Sequence, residues 1–223
     1  MTRHRPDVVA LDVNETLLDL APVRAALIEA GQPETLLPTV FARTLLTGFA
    51  AVAVGSWCAF RDAFDAALAQ VSNLGADARA AVIGGFGELA PHPDVEPALR
   101  RLVEGGIRVI TLSHGSPGVA EAGLERGGIT PLVERSLSSE AIRAWKPSRE
   151  AYLWAAGSCG VAPDQMALVA AHGWDVFGAQ RAGLTGAWFP RGERRYPAVY
   201  EPPHVTASDL SGAVDALLAL PVA

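Results

Sequence analysis

Only two cysteines occur, Cys58 and Cys159, far apart and with neither metal-ligand nor redox-motif spacing. No disulfide framework is therefore expected, and nothing indicates an oxidising compartment. Clustered positive charge is also missing: 18 basic against 24 acidic residues give a formal net charge of −6. That excludes the electrostatic footprint of a nucleic-acid-binding surface or an anionic-membrane anchor, and leaves a small molecule as the expected partner. Long apolar runs are scarce. The basic start Thr2-Arg3-His4-Arg5 leads into Val8 to Leu11, which Asp12 stops far short of a signal-peptide core. Thr44 to Phe60 carries no charge, but it is shorter than the roughly 20 apolar residues of a membrane span, and Thr47, Gly48, Gly55 and Ser56 dilute it. A buried helix is expected there, in a cytoplasmic protein. The sequence has no internal repeat and no low-complexity segment.

What is present suits a globular α/β protein. Half of the 223 residues are apolar and 19% are charged, enough to bury a full core in one domain or a domain with an insertion. From about residue 95 helix-like and strand-like stretches alternate. Val95 to Val103 reads as a helix closed by Gly105 and Gly106, and Arg108 to Leu112 as a buried strand. Val119 to Arg126 reads as a helix and Val133 to Leu137 as a strand. A helix through Tyr152 begins at Ser148, and Met166 to Ala170 is again a strand. Phe177 to Ala182 reads as a helix, Gly186 to Phe189 as a strand and Leu210 to Leu218 as a last helix, after a Pro-rich surface loop around Pro197, Pro202 and Pro203. With Val8 to Leu11 as first strand, this is the pattern of a Rossmann-like parallel sheet with helices on both faces. Residues 19 to 90 break it, since Val23 to Ala30, Val40 to Ala53, Ala59 to Val71 and Ala76 to Ile83 all read as helices. The expected division is an α/β core of residues 1–17 and 93–223 and an inserted helical cap of residues 18–92.

Parallel sheets bind ligands beyond the carboxyl ends of their strands. The polar residues there are Asp12, Ser113, Lys146 followed by Pro147, and Asp175. One carboxylate can attack, a hydroxyl and an ammonium can hold negative charge, and a second acid can orient the lysine or a water. Each alone is ordinary, because Asp and Ser often cap helices and a Lys-Pro pair is often an exposed turn. His4, His92 and His204 lie in no such pattern and are expected at the surface.

Asp12-Val13-Asn14-Glu15-Thr16-Leu17 resembles the first motif of the haloacid dehalogenase superfamily. Ser113 in Leu112-Ser113-His114-Gly115-Ser116-Pro117 is similar to the second, Lys146-Pro147 to the third, and Ala171-His172-Gly173-Trp174-Asp175 to the fourth. Tyr152, six residues after Lys146, matches the spacing of the type II (S)-2-haloacid dehalogenases. The resemblance implies hydrolysis of short 2-haloalkanoic acids to 2-hydroxy acids through an aspartyl ester on Asp12, with no cofactor or metal; a homodimer is compatible with it. It makes Thr16 the partner of the Asp12 carboxylate and Ser113 a ligand of the substrate carboxylate. Lys146 and Asp175 steer ester hydrolysis, supported by Tyr152, and Arg43 is the cap residue that receives halide. Asn14, His114, His172 and Trp174 line the substrate, either histidine as an imidazolium titrating near neutral pH, and Trp174 fits core or pocket wall equally. Phosphatases of the superfamily place a general acid where Asn14 stands, and an amide cannot protonate a leaving group. Three departures from the dehalogenase pattern are Ala170 in place of Ser, and His114 and His172 in place of Asn. Two other readings stay open: a phosphatase holding Mg²⁺ through Asp12, a backbone carbonyl near Asn14 and Asp175, and a non-catalytic member.

Overall fold

The computed structural model describes residues 3–222, so Thr2 of the basic start lies outside the described residues. Six strands form one parallel sheet: β1 (Val8–Leu11), β4 (Arg108–Ser113), β5 (Arg135–Ser138), β6 (Met166–Ala170), β7 (Thr185–Trp188) and β8 (Val205–Thr206). The order β5-β4-β1-β6-β7-β8 puts β1 in the middle, where the chain finishes one half of the sheet and crosses back to build the other. A crevice opens outside the strand ends at such a reversal. The period-two geometry of a strand explains the composition of β1: Val9 and Leu11 enter one core cluster, Val8 and Ala10 the other.

Helices cover both faces. α7 (Arg149–Ser158) and α8 (Gly173–Ala182) pack Tyr152, Ala155, Val176 and Ala179 onto the Val8 side. α5 (Val95–Glu104), α6 (Pro117–Arg126) and α9 (Leu210–Leu218) contribute Leu99, Leu124 and Val214 to the Val9 side. Four further helices lie between β1 and β4: α1 (Ala21–Glu29), α2 (Leu36–Ala53), α3 (Phe60–Val71) and α4 (Ala76–Gly84). They are bracketed by a two-residue antiparallel pair, β2 (Leu18–Asp19) with β3 (Ala90–Pro91). His92 follows that pair half-buried, not at the surface as expected, with its backbone N–H donating to the Leu17 carbonyl.

Three expectations need correction. α8 begins at Gly173 instead of Phe177, which puts Asp175 in its first turn instead of a loop. β5 starts two residues later than Val133, because Thr130 to Leu132 close a 3₁₀ turn first. α2 starts four residues before Val40, since Pro38 sits in the first turn, where the missing N–H has no intrahelical partner to lose. Nor is α2 buried all round. It buries one stripe, Leu37, Val40, Phe41, Thr44 and Gly48, while Leu46 is 63% exposed. By length and composition alone α2 could cross a membrane; here its stripe packs on α3.

Gly48 lets α2 also approach Trp145 closely, because a Cβ there would overlap the Trp145 ring. Trp145 in turn donates its indole N–H to the Cys58 carbonyl at 2.9 Å, tying the helical segment to the loop that carries Lys146. Gly48→Val is expected to lower stability by about 1–3 kcal/mol through overpacking. Gly84→Ala, where a Cβ meets nothing within 4 Å, should change it by less than about 0.5 kcal/mol. Thermal melts of both variants check this; equal melting temperatures would show that Trp145 does not need the space.

Candidate active site

Four segments deliver the expected groups to one point above β1. Asp12 follows the last residue of β1, its backbone N–H continuing the ladder to the Val169 carbonyl at 3.1 Å. Ser113 ends β4, Lys146 precedes α7 in a loop with a cis Lys146–Pro147 bond, and Asp175 rides the first turn of α8. Lys146 is the only lysine in the chain. It is completely buried, and its Nζ donates to Asp12 Oδ1 at 2.7 Å, Asp175 Oδ2 at 2.7 Å and the Leu112 carbonyl at 2.9 Å. Tyr152 donates to Asp175 Oδ1 at 2.6 Å. That approach needs Gly178 in α8, where a Cβ would stand 2.8 Å from the tyrosine hydroxyl. Thr16 donates to Asp12 Oδ2 at 2.7 Å and accepts from the Ala171 N–H at 3.0 Å.

Burial alone would push the Asp12 carboxyl up, but Lys146 and then His172 beside it hold it well below the usual carboxylate range. Burial likewise opposes the charge on Lys146, and Asp12 and Asp175 together raise it. Asp175 moves the other way: burial and the neighbouring Asp12 charge push it up against the pull of Lys146. Tyr152 is raised well above its usual value by burial and Asp175, and stays a donor. The resulting unit is an anionic carboxylate at the sheet's edge, neutralised by a fixed ammonium and free of any protonated acid at position 14.

The two histidines separate. His172 Nδ1 lies 2.9 Å from Asp12 Oδ2 and Nε2 lies 3.2 Å from Glu15 Oε2, and the ring stacks between Phe41 and Trp174. Burial opposes its charge, yet the hydrogen bonds to Asp12 and Glu15 bring it up to about 10. His114 has neither nitrogen partnered; it stands edge-on to Trp145 at 4.6 Å, and burial and Lys146 hold it well below its usual value. Contrary to the expectation from sequence, neither ring therefore titrates near neutral pH. One is a standing cation and the other a neutral wall.

Ser113 is buried at the site, with its hydroxyl donating to the Gly115 carbonyl at 2.9 Å. Asn14 and Trp174 line the space over Asp12, with Phe41, Leu45, Phe60, His114 and His172. Arg43 does not. It is exposed on α2 and donates to Gln70 at 3.4 Å, while Phe41 and Leu45 of the same helix face Asp12. Glu15, Phe41, Leu45 and Phe60 were missed from sequence. Glu15 carried a signal of a kind, lying inside the first motif; it adopts φ +61°, which turns its side chain toward His172.

Residues 6–183 match the model of the haloacid dehalogenase-like hydrolase family. The chain belongs to that family. Among curated relatives, an (S)-2-haloacid dehalogenase of Pseudomonas sp. (strain YL) is 25% identical over 143 residues, 64% of this chain and 62% of that enzyme. The aligned stretch thus spans less than two thirds of its length. The solved L-2-haloacid dehalogenase RSc1362 superposes with a TM-score of 0.88 at 26% identity, over 98% of this chain and 100% of that one. The L-2-haloacid dehalogenase of Xanthobacter autotrophicus with chloropropionic acid covalently bound shares the fold, at TM-score 0.86 and 21% identity over 96% and 99% of the two chains.

The His172 geometry sets a pH signature for this haloacid dehalogenase-like hydrolase. A histidine raised from about 6.5 in the unfolded chain to about 10 in the fold contributes stability that is complete below pH 6.5 and is lost as pH rises through 10. The stability difference between wild type and His172→Asn should therefore be largest below about pH 6.5 and shrink steadily toward pH 10. Urea melts at intervals of one pH unit read it. A difference that stays constant from pH 6 to 10 would mean that the ring is neutral in the folded protein.

Proposed function

We propose that this hydrolase removes halide from 2-haloalkanoic acids, with Asp12 as the nucleophile and residues 18–92 as a cap over it. One observation carries the reading: Asp12 is held anionic by Lys146, Thr16 and His172 at a site where Asn14 replaces the acid that an oxygen leaving group would need. The Asp12 carboxylate attacks C2 from behind, the halide departs with the bonding electron pair, and C2 inverts. No proton is needed for that step. Water then adds to the carboxyl carbon of the ester, and the 2-hydroxy acid leaves with an oxygen that came from Asp12.

The remaining residues have roles consistent with their contacts. Thr16 and Lys146 fix the carboxylate, and Asp175, anchored by Lys146 and Tyr152, orients the hydrolytic water. Ser113 and the backbone beside it face the substrate carboxylate, and Asn14 and Trp174 bound the reacting carbon. Arg43 lies outside the chamber, so the charge that meets the departing halide falls to His172. The Mg²⁺-dependent phosphatase reading requires oxygen ligands around a cation between Asp12 and Asp175. The Lys146 ammonium stands there instead, 2.7 Å from each, so these residues do not fit that metal site.

Assaying 2-chloropropionate and phosphate esters with and without EDTA tests the proposal. Halide release unchanged by chelation is expected, with negligible phosphate release. Asn14→Asp restores the acid and should raise any phosphatase activity. Phosphate release that disappears with EDTA, with no halide from any haloacid, would overturn the assignment.

A further inference from the structure

Directly over Asp12 the free volume is about 10 Å³, room for a single water. Phe41, Leu45, His172 and Trp174 close that side. Three residues of this chamber, Asn14, Phe60 and Ser113, also line a second cavity of about 440 Å³. It runs between α3, α4 and α6, and its size lies in the range of small-molecule sites.

Its wall is apolar: Val13, Phe64, Ile83, Phe86, Val119 and Ala120. Phe86 stands edge-on to Phe60 at 5.6 Å and to Phe64 at 5.0 Å, so the wall is made by packed rings. The ionisable residues lining it are Arg61, Asp62 and Glu140, of which Arg61 and Asp62 are exposed. One base against two acids gives no net attraction for a second carboxylate at the far end.

We infer that this cavity is a subsite for the C2 substituent, and that the preferred substrates are 2-halo acids with an uncharged alkyl chain of several carbons, turned over faster than 2-halopropionate. The inference rests on the dehalogenase reading and extends it to substrate class. With the carboxylate and C2 at Ser113 and Asn14, the substituent continues past Phe60 into the apolar space. A methyl group would leave most of it unfilled. Each added methylene buried there corresponds to roughly fourfold in kcat/KM until the cavity is full.

Halide release is measured for 2-bromopropionate, 2-bromobutanoate, 2-bromohexanoate and 2-bromooctanoate, and calorimetry follows binding of unreactive propionate and octanoate. For wild type, kcat/KM should climb along the series and octanoate should bind at least tenfold more tightly than propionate. Val119→Phe, and independently Ile83→Phe on α4, narrow the cavity; both should make the climb shallower and leave 2-bromopropionate turnover within about twofold. Two variants on different helices guard against one failing to fold. Turnover of 2-bromopropionate with no gain for longer acids overturns the subsite and leaves the dehalogenase reading standing. Tight octanoate binding that both variants weaken, with no halide from any acid, supports the subsite and removes the dehalogenase reading.

Discussion

The ammonium of Lys146 has no contact with water and touches three oxygens, on Asp12, Asp175 and the carbonyl of Leu112. A buried charge of this kind persists only when paired, and removing one partner of such a pair costs roughly 3–5 kcal/mol. The requirement works in every direction at once. The lysine needs both acids, Asp12 needs the lysine to stay ionised inside the protein, and Asp175 needs it together with the Tyr152 hydroxyl. Because the partners come from the end of β1, the end of β4 and the start of α8, satisfying one ammonium fixes the relative position of three segments of the sheet's edge. Every other residue of the lysine and arginine class in the chain is an arginine. A planar guanidinium would not fill a compact position between two carboxylates in the same way.

The same constraint shapes how the site can meet an anion. Lys146 and His172 are its cations, and Asp12, Asp175 and Glu15 face them. With Arg43 on the outer side of α2, two cations face three carboxyl groups and leave no surplus of positive charge, so a carboxylate substrate of the proposed kind would depend on fixed hydrogen-bond donors and on apolar contact for its affinity. Phe41, Leu45, Phe60 and Trp174 supply that contact close to the nucleophile, and the neutral His114 adds to it without adding charge. On the proposed reading, a site without excess positive charge and with an apolar cavity beside it would recognise substrates by shape and hydrophobic surface more than by ionic attraction.

The sheet was legible in the sequence wherever a strand is an apolar run of four or more residues, as in β1, β4 and β6, because strands buried on both faces are nearly continuous in Val, Leu and Ala. The two-residue strands β2, β3 and β8 were not, since two residues carry no period, and β8 falls in a Pro-rich stretch that reads as a loop. Asp12, Ser113, Lys146, Tyr152 and Asp175 were legible through motif order, and the fold brings them together. Arg43 shows where that reasoning stopped. On a helix, residues 41 and 45 share a face while residue 43 points about 200° away from 41. Phasing α2 by its buried stripe of Val40, Phe41, Thr44 and Gly48 would have put Arg43 outside. The pairing of His172 with Glu15 depends on a left-handed backbone at a non-glycine residue, which sequence does not announce.

The central claim is that Asp12 becomes covalently bonded to substrate, and isotope transfer tests it most directly. A single turnover of a 2-haloacid by excess enzyme in H₂¹⁸O should give 2-hydroxy acid that is largely unlabelled, because its new oxygen comes from Asp12. Repeated turnovers should then place ¹⁸O in the peptide that contains Asp12. Product labelled in the first turnover, with no label in the protein, would mean that water attacks C2 itself and would contradict the account.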